Sequence, residues 1–400
     1  MFEILTLNAI SPRGLARLPQ DRYRVSPEVD RPDAIIVRSA DLHARAIPAS
    51  VLAIGRAGAG TNNIPVEEMT RRGVPVFNAP GANANAVKEL VLAGLFLSSR
   101  HLCEAWQYVR GLDAADPGLE KAVEQGKKTF VGTELVGRTL GVVGLGAIGV
   151  EVATAAVALG MRVVGFDPQI TVRRAWQLSS AVEPAASLDE VFGLADAVTL
   201  HVPLAPGTRG LVSAERLARM RPGGTLLNFA RGPVADEAAV LAALDAGTLA
   251  AYVTDFPTAA AKDHPKVIAL PHLGASTHEA EENCAVMVAD TVRDFLEHGR
   301  VRHSVNFPDV MLPRTPGTHR LLVANANVPN MVGQISSRLG GAGVNIADLL
   351  NSSRGDVACT LIDTDAPLPE GTVEAIRAID GVLAARVVGA AGSDDTATPS

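Results

Sequence analysis

The sequence predicts an α/β protein with two doubly wound parallel-sheet domains and a C-terminal, ferredoxin-like α+β domain. Three observations predict it. Short apolar strands alternate with helical stretches through the first hundred or so residues, the alternation restarts from about residue 135, and residues 319 to about 389 read strand, helix, strand, strand, helix, strand.

Composition bounds the function classes. A chain of 400 residues, 47% hydrophobic and only 20% charged, has ample apolar content for packed cores. A net charge of −7 lacks the basic excess that binding to nucleic acid or a membrane surface requires, so neither is expected as a partner. Cys103, Cys284 and Cys359 lie far apart and form no CxxC, which fits a reducing compartment and no metal site. The start, MFEILTLNAI, has no signal-peptide pattern, and the apolar run Leu90 to Leu97 is too short to span a bilayer. The expectation is a soluble, cytoplasmic protein.

The first domain rests on the strands in "DAIIVRS", "VLAIGRAG" and "GVPVFNAP", each ended by polar or Gly/Pro punctuation. Residues 83 to about 101 read as one helix, apolar almost all round and therefore buried. The second domain rests on six strands, in "TLGVVGLG", "MRVVGFDP", "AVTLHVPL", "GTLLNFARG", "AAYVTDFP" and "KVIALPH". A helix at about 277 to 298 follows, and then "VNFPDVMLPRTPGTH", whose prolines and weak periodicity predict a linker. The tail "AGSDDTATPS" reads as disordered.

The most informative stretch is "TLGVVGLGAIGVEVATAAVALGMRVVGFDP". Gly144, Gly146 and Gly149 form a GxGxxG between a strand and a helix, Gly160 is placed to end that helix, and Asp167 closes the next strand. This is the context of a dinucleotide site. Glycines admit a pyrophosphate to the backbone, and the helix N-terminus offers unpaired N–H groups. A carboxylate at Asp167 accepts from ribose hydroxyls and repels a 2′-phosphate. With no arginine at positions 168 to 171, NAD is favoured over NADP.

Two polar residues directly follow apolar strands, Arg231 after "GTLLNFA" and His272 after "VIALP". Taken alone, Arg231 reads more readily as a surface ion-pair residue, and His272 reads equally well as a satisfied histidine. Behind a dinucleotide fingerprint they read as a carboxylate clamp and a proton donor or acceptor, the pair that interconversion of a 2-hydroxy and a 2-oxo acid requires.

The motifs "GRAGAGTNNI", "VFNAPGANANAVKELVLAG", "VGLGAIG", "ARG", "YVTDFP", "PHLGAST" and "GVNIADLL" together resemble the D-2-hydroxyacid dehydrogenase family, in its short phosphoglycerate-oxidising form with a C-terminal ACT domain. The resemblance covers nearly the whole chain. It implies a split substrate-binding domain at 1–98 and 275–305, an NAD-binding Rossmann domain at 99–274, a linker at 306–317, an ACT regulatory domain at 318–390 and a tail at 391–400. It implies NAD-dependent oxidation of 3-phosphoglycerate to 3-phosphooxypyruvate, the first step of serine synthesis, with 2-oxoglutarate reduction as a side activity. Arg231 and His272 are then catalytic. Arg38, Arg56, Ala57 and Gly58 bind substrate, with Arg38 or Arg56 near its phosphate. Ala147 and Ile148 meet the pyrophosphate beside the three glycines, and Asp167 the ribose. His201, Val202, Pro203, Thr208, Phe229, Ala230 and Gly274 line the cofactor, and Asp255 holds its carboxamide. A homodimer or homotetramer is expected.

Two departures stand out. The family's acid partner for the histidine is a glutamate at the position of Ala259, and Asp263 could replace it only if the Ala-rich loop shifts. Relatives that bind L-serine at paired ACT domains use a histidine and two asparagines; the matching positions here are Asn325, Asn327 and Asn345, with Asn330 replacing a glycine nearby. A dehydrogenase for another D-2-hydroxy acid and a catalytically weak NAD- and serine-sensing protein therefore stay open.

Overall fold

The computed structural model describes residues 1–389, so the tail expected at 391–400 lies outside the described residues. The chain forms two compact units, Met1–Ala82 together with the segment from Glu281, and Asn83–Ala280.

The first unit opens with β1 (Phe2–Leu7), β2 (Tyr23–Ser26), β3 (Ala34–Val37), β4 (Ala53–Arg56) and β5 (Val76–Phe77). All pairs are parallel, in the order β2-β1-β3-β4-β5, a doubly wound arrangement whose order reverses between β1 and β3. The Ala-Ile-Ile-Val of β3 is buried at every residue because layers cover both faces of a parallel sheet. One such layer is the helix His278–His298, whose Ala285, Val288 and Val292 share a core with Ile4 and Ile36. β1 and β2 were not among the expected strands. Only Ile4 and Leu5 of β1 are fully buried and β2 is an edge strand of four residues, so neither presents a long apolar run.

The second unit carries β6 (Thr139–Val143), β7 (Arg162–Phe166), β8 (Val182–Pro184), β9 (Ala197–Leu200), β10 (Gly224–Asn228), β11 (Leu249–Thr254) and β12 (Val267–Ala269). The order β12-β11-β10-β9-β6-β7-β8 is parallel throughout and reverses between β6 and β9. All six expected strands are present; the added β8 is a three-residue edge with one buried position. The helix Ala84–Ser99 packs here, its Val87, Val91 and Leu95 in one core with Leu140, Leu227 and Val253. The expected boundaries at 98 and 275 therefore move to 82 and 281, because this apolar face is completed by β6, β10 and β11. The helix is also not buried all round, since Phe96 is exposed.

Residues 306–317 contain no helix or strand, as the prolines predict, yet they are not a loose spacer. Phe307, Val310 and Leu312 are buried in the first unit's core. The last sheet has β13 (His319–Ala326), β14 (Ile346–Arg354), β15 (Val357–Thr364) and β16 (Val382–Val388), antiparallel in the order β14-β15-β13-β16. With helices Met331–Gly341 and Thr372–Arg377 it is the ferredoxin-like α+β domain that was expected. Arg320 fastens it. Its Nε and Nη2 each donate to Asp363 at 2.7 Å, and its remaining N–H groups donate to the carbonyls of His298, Leu312 and Pro313 at 2.9–3.2 Å.

Candidate active site

In the second unit the strand order reverses between β6 and β9, the point at which an open α/β sheet leaves a crevice. The glycine turn sits there. Gly144 has φ +90°, and a Cβ on it would lie 2.6 Å from the His201 carbonyl oxygen. A Cβ on Gly149 would lie 1.9 Å from the Gly144 oxygen, so helix Ala147–Ala158 can approach the turn only with glycine there. Gly146 faces open space, with nothing within 4 Å of its would-be Cβ, which is the side a ligand can enter. Ala147 and Ile148 form the first helical turn, whose amides lack intrahelical acceptors. Asp167 follows β7; its Oδ2 accepts from Leu145 N and its Oδ1 from Gln169 N, both at 2.9 Å. The carboxylate is thus pinned beside the turn.

Three neighbouring strands deliver three residues singled out in the sequence to this same edge. Arg231 follows β10, Asp255 follows β11 and His272 follows β12, on strands that are successive neighbours spaced about 4.8 Å apart. The Asn228 side chain braces the arginine loop, donating to Arg231 O at 3.0 Å and accepting from Ala230 N at 3.2 Å. The Thr254 hydroxyl joins β11 to β10 by donating to Asn228 O at 3.1 Å, and it accepts from Phe256 N. These two buried polar residues were missed in the sequence, although polar positions at the ends of apolar strands are a readable signal.

Asp255 is 1% exposed. Its Oδ2 accepts from Gly274 N at 3.2 Å, while its Oδ1 is buried with no hydrogen-bond partner. Burial pushes its carboxyl above the usual range, against the opposing pull of His272 and of neighbouring amides. The His272 ring packs on Phe256, centroids 4.7 Å apart, and is itself exposed. Phe229 is buried and Ala230 half-buried beside Arg231. After β9, His201 is bound through Nε2 to Thr199 Oγ1 at 3.0 Å, and burial pushes its pKa down to about 3. It is a neutral wall. Val202 and Pro203 continue that loop, and Thr208 closes it by donating to Pro203 O and accepting from Ala205 N.

Around Ala259, the Thr258 hydroxyl donates to Glu237 Oε2 at 2.6 Å. Asp263 pairs with Lys262 and its side chain is 78% exposed, so the loop has not shifted to bring it inward. Among the described residues no carboxylate hydrogen-bonds the His272 ring; Asp255 is the acid within its electrostatic reach.

In the first unit, Arg38 and Arg56 stand at the carboxyl ends of the neighbouring strands β3 and β4. Arg56 Nε donates to Arg38 O at 3.0 Å, and Arg38 Nη2 pairs with Glu281 at 2.6 Å. Glu281 reads in the sequence as one more charge on a helix surface. Ala57 N and Gly58 N are already committed to Val37 O and Arg56 O, so these amides are not open donors; those of Ala59 and Gly60 have no partner among the described residues.

In the C-terminal domain, Asn325, Asn327, Asn330 and Asn351 line one cavity of about 170 Å³. Asn325 Oδ1 is buried and has no partner. Asn345 does not join them, because it precedes β14, where its amide donates to Asp365 Oδ1. Asn351, paired with Thr360 at 2.7 Å, lies there instead. Among the described residues no cluster of His, Cys, Asp and Glu could hold a metal ion, and no helix is long and apolar enough to cross a membrane.

Residues 92–278 match the family described as D-isomer specific 2-hydroxyacid dehydrogenase, NAD binding domain. The chain is 36% identical over 338 residues to D-3-phosphoglycerate dehydrogenase of Synechocystis sp., covering 82% of this chain and 57% of that one. It is 37% identical over 328 residues to the Bacillus subtilis protein of the same name, covering 77% and 59%. The chain thus spans little more than half the length of these curated relatives. Among solved structures, NAD+-bound 3-phosphoglycerate dehydrogenase of Entamoeba histolytica superposes with TM-score 0.57 at 24% identity, over 76% of this chain and 98% of that one. D-mandelate dehydrogenase of Rhodotorula graminis gives 0.65 at 23% identity, over 78% and 99%. At such identities these two speak for the fold alone.

Proposed function

We propose that this chain, which belongs to the D-isomer specific 2-hydroxyacid dehydrogenase family, oxidises 3-phospho-D-glycerate to 3-phosphooxypyruvate with NAD. The observation that carries the reading is the sequence of strand ends β10, β11 and β12, which sets Arg231, Asp255 and His272 along the edge that also bears the glycine turn.

The residues present fit the cofactor. Gly146 leaves space where a pyrophosphate would approach, Asp167 is held at the ribose position, and the orphaned buried Asp255 Oδ1 is an acceptor for a carboxamide N–H. When bound, NAD supplies the acceptor for the hydride leaving C2 of the substrate. His272 takes the proton of the C2 hydroxyl, as its place at a strand end and exposure permit. Arg231 clamps the carboxylate and the oxygen that becomes the ketone, its loop held by Asn228. His201, held neutral, adds no competing cation beside the turn. Within the first unit, Arg38 and Arg56 set two guanidiniums at adjacent strand ends, suited to an anionic group that competes with Glu281 for Arg38.

NADH formation from 3-phosphoglycerate, measured beside a panel of D-2-hydroxy acids and in reverse with 2-oxoglutarate, tests the assignment. A kcat/KM highest for a non-phosphorylated acid would replace the substrate, and no turnover with any would leave the sensing role. The orphaned Asn325 Oδ1 also supports L-serine as an effector at the asparagine cavity. Calorimetric heat with serine, together with inhibition that Asn325→Ala abolishes, is the expected result. No heat at millimolar serine would end that reading.

A further inference from the structure

A second cavity, of about 320 Å³, lies within the first unit between its parallel-sheet layer and its C-terminal sheet. Its walls are apolar, with Leu52 and Val74 on one side and Leu322 and Ala324 on the other. Three guanidiniums also stand in the lining. Arg72 is committed to the carbonyls of Ile47 and Pro48 at 3.0 and 2.7 Å, and Arg377 to Ala385 O at 2.8 Å and to Glu374.

Arg386 differs. Its Nη2 donates to Phe295 O at 2.7 Å, and its plane lies 4.5 Å over the Phe295 ring. Its Nε is buried and has no hydrogen-bond partner, and no ion pair among the described residues includes it. Burial presses its pKa down to about 10, so it remains charged at neutral pH. Asp33 and Cys359 lie within its electrostatic reach without bonding to it, and a buried cation with an idle donor is costly unless something pairs with it.

We propose that this cavity binds a small organic carboxylate with a short aliphatic body, its carboxylate on Arg386 and its chain against Leu52, Val74 and Leu322. An inorganic anion would pair with the guanidinium but leave the apolar walls uncovered. A neutral apolar molecule would fill the walls but leave Nε idle. The volume suits a ligand larger than a bare carboxylate, at the small end of organic-ligand sites. Because the lining comes from both layers, the ligand would bridge the C-terminal sheet and the parallel sheet. The inference does not depend on the proposed reaction, since binding needs neither cofactor nor turnover.

The test is isothermal titration of the full chain with 4-methylpentanoate, 4-methylpentan-1-ol and inorganic phosphate as probes. The expected result is saturable binding of the acid at one site per chain, with the alcohol and phosphate at least tenfold weaker. Arg386→Met should weaken the acid at least tenfold. Ala324→Leu, which fills the cavity and keeps all three arginines, should do the same, and it carries the test if the arginine variant fails to fold. Circular dichroism melting checks that each variant is native. Absence of saturable heat with the acid overturns the proposal. So does unchanged affinity in both variants, or phosphate binding as tightly as the acid, which would mark a simple anion site.

Discussion

Asp255→Asn should make the protein more stable and less active at once. Asp255 is 1% exposed, one carboxylate oxygen accepts only a 3.2 Å bond from Gly274, and the other has no partner. An ionised group held that way costs the fold more than a neutral amide of the same shape, by about 1–2 kcal/mol on the usual scale for unsatisfied buried groups. For a unit of this size each kcal/mol is worth about 2–4 °C, so the variant should melt about 2–8 °C higher at pH 7 without cofactor. The pH dependence has a definite sign. Burial raises the folded-state pKa above the unfolded value of about 3.9. The stability linked to this proton is therefore fully present below that value and lost as pH rises through the folded-state pKa. The two melting temperatures should converge toward pH 4 and separate toward neutrality. Activity should move the other way, with kcat/KM falling about tenfold to a hundredfold as a cofactor acceptor and a charge beside His272 are lost. Differential scanning fluorimetry from pH 4 to 8 and steady-state kinetics give both readings. A variant that melts lower than wild type at every pH would refute the reasoning.

Three further outcomes can be checked. Ala259→Glu supplies a carboxylate that favours the charged ring of His272, so the acid limb of the oxidation profile should move to higher pH and kcat should rise by about tenfold; unchanged kinetics would show that Asp255 already suffices. NAD should be preferred to NADP by at least about tenfold in kcat/KM, or about 1.4 kcal/mol, and Asp167→Ala should erode that preference while loosening the Leu145 amide it holds. Helices Leu102–Arg110 and Leu119–Gly126 bury no residue and expose Leu102, Trp106, Val109 and Val123, so a second copy is the expected cover, and Trp106→Arg should shift light-scattering mass toward the monomer.

What was legible in the sequence follows from how locally each feature is encoded. The glycine turn, Asp167, Arg231 and His272 are readable because each lies within three residues of the end of an apolar strand of a parallel sheet, and such strands put their ends on one edge. Asn228 and Thr254, partners across β10 and β11, were passed over because a polar side chain at a strand end looks like the start of a loop until its hydrogen bonds are seen. Glu281 lies 243 residues from Arg38 in sequence, so only tertiary structure could join them. The helix Ala84–Ser99 is legible in the sequence but its unit is not, because an apolar face says that it is covered and not by what. Asn351 is not legible as a neighbour of Asn325 and Asn327, because only the alternation of β14 and its pairing with β15 carry it to their cavity.

The five bonds of Arg320 bear on how such a chain can be inherited. A domain appended at a chain end is ordinarily an interchangeable cassette, gained or exchanged by recombination at the joint. Here the joint has no clean cut: the arginine of the C-terminal sheet satisfies the last carbonyl of the preceding helix and two carbonyls of the connection, and Phe307, Val310, Leu361 and Val388 share one core. A foreign domain grafted after residue 317 would leave those carbonyls without donors and that core with a missing wall. Within this unit, substitutions on one side of the seam therefore constrain those on the other.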